Sequence, residues 1–153
     1  MNRPPAALLA LTINVLVLCA AEPLHTRQEG GLTMGNGASN WISVDRATRD
    51  DKELTFAEVQ IEGAGWLVIH PFQDGRPNGD RVVGVTRLES GTNQGVKIEV
   101  PKGLEAGEQM IVMLHRDSND NGDFDFIFVD DRNVMDRAVF EGTKMIGHVV
   151  AAP

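Results

Sequence analysis

Asp117, Asn119, Asn121, Gly122, Asp123 and Asp125 place oxygen donors on alternate residues around a glycine, which is the spacing of a loop that wraps a hard cation. In such a loop Asp117 and Asp125 would supply carboxylates, Asn119 and Asn121 neutral oxygens, and Asp123 its backbone carbonyl, while Gly122 makes the sharp turn. The twelfth position, where a bidentate glutamate is expected, holds Phe128. The shell would therefore be closed by Asp120, Asp130, Asp131 or water. Four aspartates between Asp117 and Asp125 repel one another, and a divalent ion relieves that repulsion. Ca²⁺ is the expected cofactor, held weakly at roughly 10⁻⁴ to 10⁻³ M, as in extracellular modules. The competing reading is a polar hairpin in which Asn121-Gly122 makes a tight turn and nothing binds.

A second set of donors follows two apolar runs. Leu67-Val68-Ile69 leads into His70, and Val112-Met113-Leu114 leads into His115. With Met110 and Met113 nearby, the pair admits copper or zinc chemistry. The alternative function is thus a periplasmic metal-binding protein or an enzyme using His70 and His115. It requires both imidazoles to meet at one accessible pocket, with ring nitrogens closer than ~5 Å if they are to share a metal with bonds of about 2 Å. Lone histidines at strand ends more commonly titrate in solvent or bond a loop. His25 and His148 add nothing specific. His115-Arg116-Asp117 and Asp123-Phe124-Asp125 look like kinase motifs, but Gly122 stands where an asparagine belongs and no nucleotide loop is present. No Gly-x-Ser-x-Gly elbow occurs either. No catalytic residue is assigned, and the expected function is not enzymatic.

The elements that position these residues read as β-strands. Val96, Ile98 and Val100 alternate with Lys97 and Glu99 and stop at Pro101, so one face of their sheet is buried and the other wet. Trp66–Ile69 and Met110–Leu114 are apolar on consecutive residues, which marks central strands covered on both faces. Their matching histidine ends suggest that both strands finish at the same pole. In Leu54–Ile61 the apolar positions change phase between Phe56 and Val59, as a β-bulge near Ala57 and Glu58 or a change of sheet would cause. Arg81–Leu88 and Lys144–Ala151 supply further strands, and Trp41–Arg46 an edge. The expectation is one all-β domain of about seven or eight strands packed as two sheets, with Trp66, Val68, Val112, Leu114, Ile98 and Ile146 in the core.

With 153 residues, 42% of them apolar, the chain can build one domain but not two comfortable ones. Residues 1–21 read as a signal peptide: Arg3 precedes an apolar stretch from Ala6 to Leu18, and Cys19-Ala20-Ala21 offers a cut before Glu22. That stretch falls short of the roughly 20 residues that span a bilayer, and no later run is longer, so no transmembrane helix is expected. Cleavage would remove Cys19, the single cysteine, leaving no internal disulfide. A minority reading makes Cys19 a lipid anchor, but Leu18 stands where Gly, Ala or Ser is usual. Residues 22–40, rich in glycine and polar side chains, read as a flexible leader, and 41–153 as the sandwich. The mature chain carries 13 basic and 22 acidic residues, a net charge of −9. That surface repels phosphate backbones and anionic lipid, so nucleic acid is not an expected partner.

Gly65-Trp-Leu-Val-Ile-His70, Met113-Leu-His-Arg-Asp117 and Gly122-Asp-Phe-Asp-Phe126 together resemble a family of small secreted β-sandwich domains of unknown function. Its members occur as repeats in surface proteins of halophilic archaea and singly in bacterial envelope proteins. The resemblance covers about Ile42 to Val150. It implies an immunoglobulin-like sandwich and an extracytoplasmic place, and it brings no activity and no site residues. The expected role is a secreted or periplasmic module, calcium-stabilised in its sharper form, that serves envelope structure or contacts a protein or other envelope component.

Overall fold

The computed structural model describes residues 33–100, 104–126 and 135–153. Residues 1–21, read as a signal peptide with Cys19 in it, and Phe128, Asp130 and Asp131 lie outside those residues. Among the described residues eleven strands are formed: β1 (Thr33–Gly35), β2 (Trp41–Ile42), β3 (Thr48–Asp50), β4 (Glu53–Ile61), β5 (Gly65–Gln73), β6 (Arg76–Pro77), β7 (Gly84–Leu88), β8 (Gly91–Glu99), β9 (Gln109–Arg116), β10 (Phe140–Glu141) and β11 (Lys144–Ala151). Only β4, β5, β7, β8, β9 and β11 run five residues or longer; the rest are short edge pieces. Among the described residues no helix is long and apolar enough to cross a membrane.

Two sheets pack face to face. The larger is ordered β1-β11-β9-β5-β6, with β10 also on β11 and β7 also on β5. The smaller is built on β4, which pairs β8 along one edge and the short β2 and β3 along the other. All pairings are antiparallel except that of β1 with β11. Strand alternation delivers the core. Leu54, Phe56, Val59 and Ile61 of β4 and Val96 and Ile98 of β8 meet Leu67 and Ile69 of β5, Met110, Val112 and Leu114 of β9, and Ile146 of β11. Burying a side chain of this kind contributes about 1.5–3 kcal/mol.

The phase change in β4 is present and is shared by its partner. The β4–β8 ladder pairs Phe56 with Val96, steps over Ala57 and Gly95, and resumes at Glu58 with Gln94. Gly95 takes φ +58°, which its missing Cβ makes inexpensive. Both strands skip one residue, so the inward parity flips without the extra residue of a one-sided bulge.

Folded chain begins before Trp41, so the leader reading does not hold over its last residues. Thr33–Gly35 lies alongside Lys144–Ile146. Glu141, at the turn into β11, accepts hydrogen bonds from the backbone N–H groups of Ala38 (2.7 Å), Ser39 (2.9 Å) and Asn40 (2.7 Å) and from Asn40 Nδ2 (3.0 Å). These donors favour the ionised form and push the Glu141 carboxyl down to about 2. The donors are Ala38, Ser39 and Asn40, and Gly37 makes the approach possible, because a Cβ there would collide with the Glu141 carboxyl.

Candidate functional site

The neighbours β5 and β9 carry both histidines, and their register decides where each side chain goes. Leu67 lies opposite Leu114 and Ile69 opposite Val112, all facing the main core. The other parity carries Trp66 opposite His115, Val68 opposite Met113, and His70 opposite Ile111, on the outward face. Trp66 and Val68 are thus buried, but outside the main core cluster to which they were expected to contribute. Apolar residues on both parities meant cover on both faces, and the cover here is the segment 117–126. Phe126 lies edge-on to His115 at 4.8 Å and to His70 at 5.7 Å, and Phe124 edge-on to Trp66 at 5.5 Å, all between ring centroids.

Antiparallel pairing also means that the two strands end at opposite poles, not at the same one. The histidines nonetheless meet, because each leans along the sheet over the Val68–Met113 pair. Their Nε2 atoms are 3.4 Å apart and each residue is only 1% exposed. His70 Nδ1 lies 2.8 Å from the Arg81 carbonyl and His115 Nδ1 2.7 Å from the Asp136 carbonyl. A carbonyl oxygen can only accept, so both Nδ1 atoms carry the proton of the neutral ring. Both Nε2 atoms then present lone pairs to each other, and no hydrogen bond joins them in that state. Burial lowers the pKa of both rings, that of His115 to about 4. The pair meets the distance a shared metal requires. Among the described residues, the Phe124 and Phe126 rings lie against the pair on its outer side.

The acidic segment is held in place by groups without local sequence signals. Asp136, fully buried, accepts the Ser118 N–H (2.9 Å) and the Asp125 N–H (2.8 Å) while its carbonyl fixes His115. Asp117 is ion-paired with Arg87 and also accepts the Gly122 N–H at 3.1 Å. The Arg87 bond holds the Asp117 carboxyl below its usual range. Arg87 in turn lies over the Trp66 ring, 4.9 Å from its centroid. Strand β7 supplies Arg87 beside Trp66, a long-range juxtaposition that only strand register creates.

The expected calcium residues fall into two groups. Asn119 Nδ2 and Asn121 Nδ2 donate to Asp125 Oδ2 at 3.1 and 2.7 Å, and Asn121 Oδ1 accepts the Asp123 N–H at 2.8 Å. Asp117 instead takes Arg87 and the Gly122 N–H, and its Oδ1 is buried with no hydrogen-bond partner among the described residues. Gly122 takes φ +77°, as the turn reading requires. Among the described residues no three His, Cys, Asp or Glu side chains converge as a metal would need.

Fold and site together define a two-sheet β-sandwich domain with one outer sheet face sealed by an aromatic and acidic strap. Residues 40–147 match the family described as Domain of unknown function (DUF7282), and the chain belongs to that family. Among curated proteins it is similar to Cell surface glycoprotein 2 of Haloarcula hispanica, at 24% identity over 115 residues. That match covers 75% of this chain but 12% of the glycoprotein's length. No solved structure matches.

Proposed function

We propose that the chain is a non-enzymatic module of the cell surface or periplasm, serving envelope structure or contact with another envelope component, and that Ca²⁺ stabilises its 117–125 loop. The observation that carries the reading is the relative: a domain similar to this one forms 12% of a much longer cell surface glycoprotein, as an exchangeable module does. The signal-peptide pattern of residues 1–21 and the excess of acidic residues fit the same place. For calcium the support is the donor spacing together with the buried Oδ1 of Asp117, which has no hydrogen-bond partner among the described residues.

Mass spectrometry of the mature N-terminus in the native host tests the placement. A chain starting at Glu22, released or exposed to added protease, is expected; an intact Met1 on a protease-protected chain overturns it. Melting with and without metal tests the cation. With a dissociation constant of about 0.5 mM, 5 mM free calcium adds roughly 1.4 kcal/mol and raises the midpoint by about 2–5 °C. Magnesium does less, since the smaller ion demands octahedral geometry and holds its water. Flat calorimetry and unmoved melting up to about 10 mM calcium, beyond the range of weak extracellular sites, make the loop a polar hairpin.

A further inference from the structure

Two lone pairs buried against each other at 3.4 Å repel unless an electrophile sits between them. Two nitrogen bonds of about 2.0–2.1 Å hold their nitrogens about 3.4–3.6 Å apart at the bent angles of a three- or four-coordinate ion, against about 4 Å for a linear two-coordinate one, so the pair as it stands suits an ion that also takes a third donor. The Nδ1 atoms are already fixed by backbone carbonyls, which is the outer hydrogen bond that orients a ligating imidazole. We propose that His70 Nε2 and His115 Nε2 form a binding site for a soft monovalent metal ion, Cu(I) or its analogue Ag(I), on the sealed outer face of β5 and β9.

The surroundings select the class of ion. Phe124 and Phe126 cover the pair, and the Asp136 carboxylate is turned away to the Ser118 and Asp125 N–H groups. Among the described residues no carboxylate is placed as a ligand, although Asp80 acts on His70 through its charge; a divalent ion held by two neutral nitrogens would bear most of the cost of burying its charge. A monovalent soft ion bears less, and accepts few nitrogen and thioether donors. Met113 holds the register position between His115 and Ile111 on the same face and is buried, so a thioether is in the right layer to contribute. The site goes beyond the surface-module reading and stands whether or not the acidic loop takes calcium.

The test is a titration of the purified, reduced chain with Ag(I) by calorimetry and with Cu(I) against a chromophoric chelator, both without oxygen. One equivalent is expected to bind at the pair, with Zn²⁺ and Ca²⁺ failing to displace it. His70→Asn and His115→Asn keep an N–H for the carbonyl but remove Nε2. Each should weaken binding by more than the roughly 10–100-fold that loss of an outer partner costs. The wild-type chain provides a readout that needs no variant and separates this pair from His25 and His148. In ¹⁵N spectra of histidine-labelled protein, silver should shift both Nε2 resonances of His70 and His115 and leave both Nδ1 protons in place. Unmoved Nε2 resonances at saturating silver overturn the proposal, as does binding that survives both substitutions. Zn²⁺ binding as tight as Cu(I) overturns the choice of ion.

Discussion

The two faces of the β5–β9 pair are built from the same strands, yet they do different work. Inward, Leu67, Ile69, Val112 and Leu114 join side chains from both sheets in one apolar core, where shape and area decide the energy. Outward, Trp66, His70, Met113 and His115 lie under a strap held by Arg87, Asp117 and Asp136. That face buries comparable side chains but carries nearly all of the polar chemistry around the strands. The inner face explains why the domain folds. On the outer face the two histidines bond the Arg81 and Asp136 carbonyls through Nδ1, which two more valines could not do. Stability and metal affinity should therefore separate cleanly when each face is altered.

The largest effect is expected from the inner face. Leu114 is fully buried, so Leu114→Ala should cost about 2–5 kcal/mol in urea denaturation. Silver affinity of the folded fraction should hardly change; a loss as large as that from His115→Asn would join the two faces into one unit. Next comes the strap. Phe124 is half-buried, so Phe124→Ala should cost about 1–3 kcal/mol, less than the 3–5 typical of a fully buried ring. It should also speed hydrogen exchange of the His115 region while sparing β4 and β8.

Smaller effects appear on acidification. Arg87 holds the Asp117 carboxyl below its ordinary range. Its stabilisation is present above the usual aspartate value of about 3.9 and is lost as the pH falls through the lower folded value. Near-ultraviolet circular dichroism from Trp66 should thus change before the far-ultraviolet signal of the strands does. Simultaneous loss of both signals would mean that the strap does not loosen separately. Glu141, whose carboxylate bonds Ala38, Ser39 and Asn40 rather than the strap, serves as the control. Its carboxyl is pushed down to about 2, so its contribution is full above the ordinary glutamate range and disappears as the pH falls toward that value. Glu141→Gln should flatten acid-dependent melting in this window without altering the Trp66 signal.

Much of this division could be read in the sequence, and the limits have physical causes. Consecutive apolar residues identified Trp66–Ile69 and Met110–Leu114 as central strands because both parities had to be covered. Which parity faced which layer was not legible, since a shift of one residue exchanges the faces. Trp66 and Val68 fell on the less expected side for that reason. The two histidines were legible as a matched pair, but their meeting depended on antiparallel register and on side chains leaning toward each other. Arg87 and Asp136 carried no local signal. They gain their roles through contacts 30 and 18 residues away along the chain, to Asp117 and Ser118. Gly35 and Gly37 suggested a loose leader, whereas β1 and the Glu141 clamp depend on partners more than a hundred residues later.

The most direct measurement is the protonation of the two imidazoles in the metal-free domain near neutral pH, by long-range ¹H–¹⁵N correlation on histidine-labelled protein. The facing geometry predicts that His70 and His115 are both neutral, with protons on Nδ1 and bare Nε2 atoms. A proton on either Nε2, whether from a ring that has released its carbonyl or from a charged pair sharing it, would contradict that arrangement.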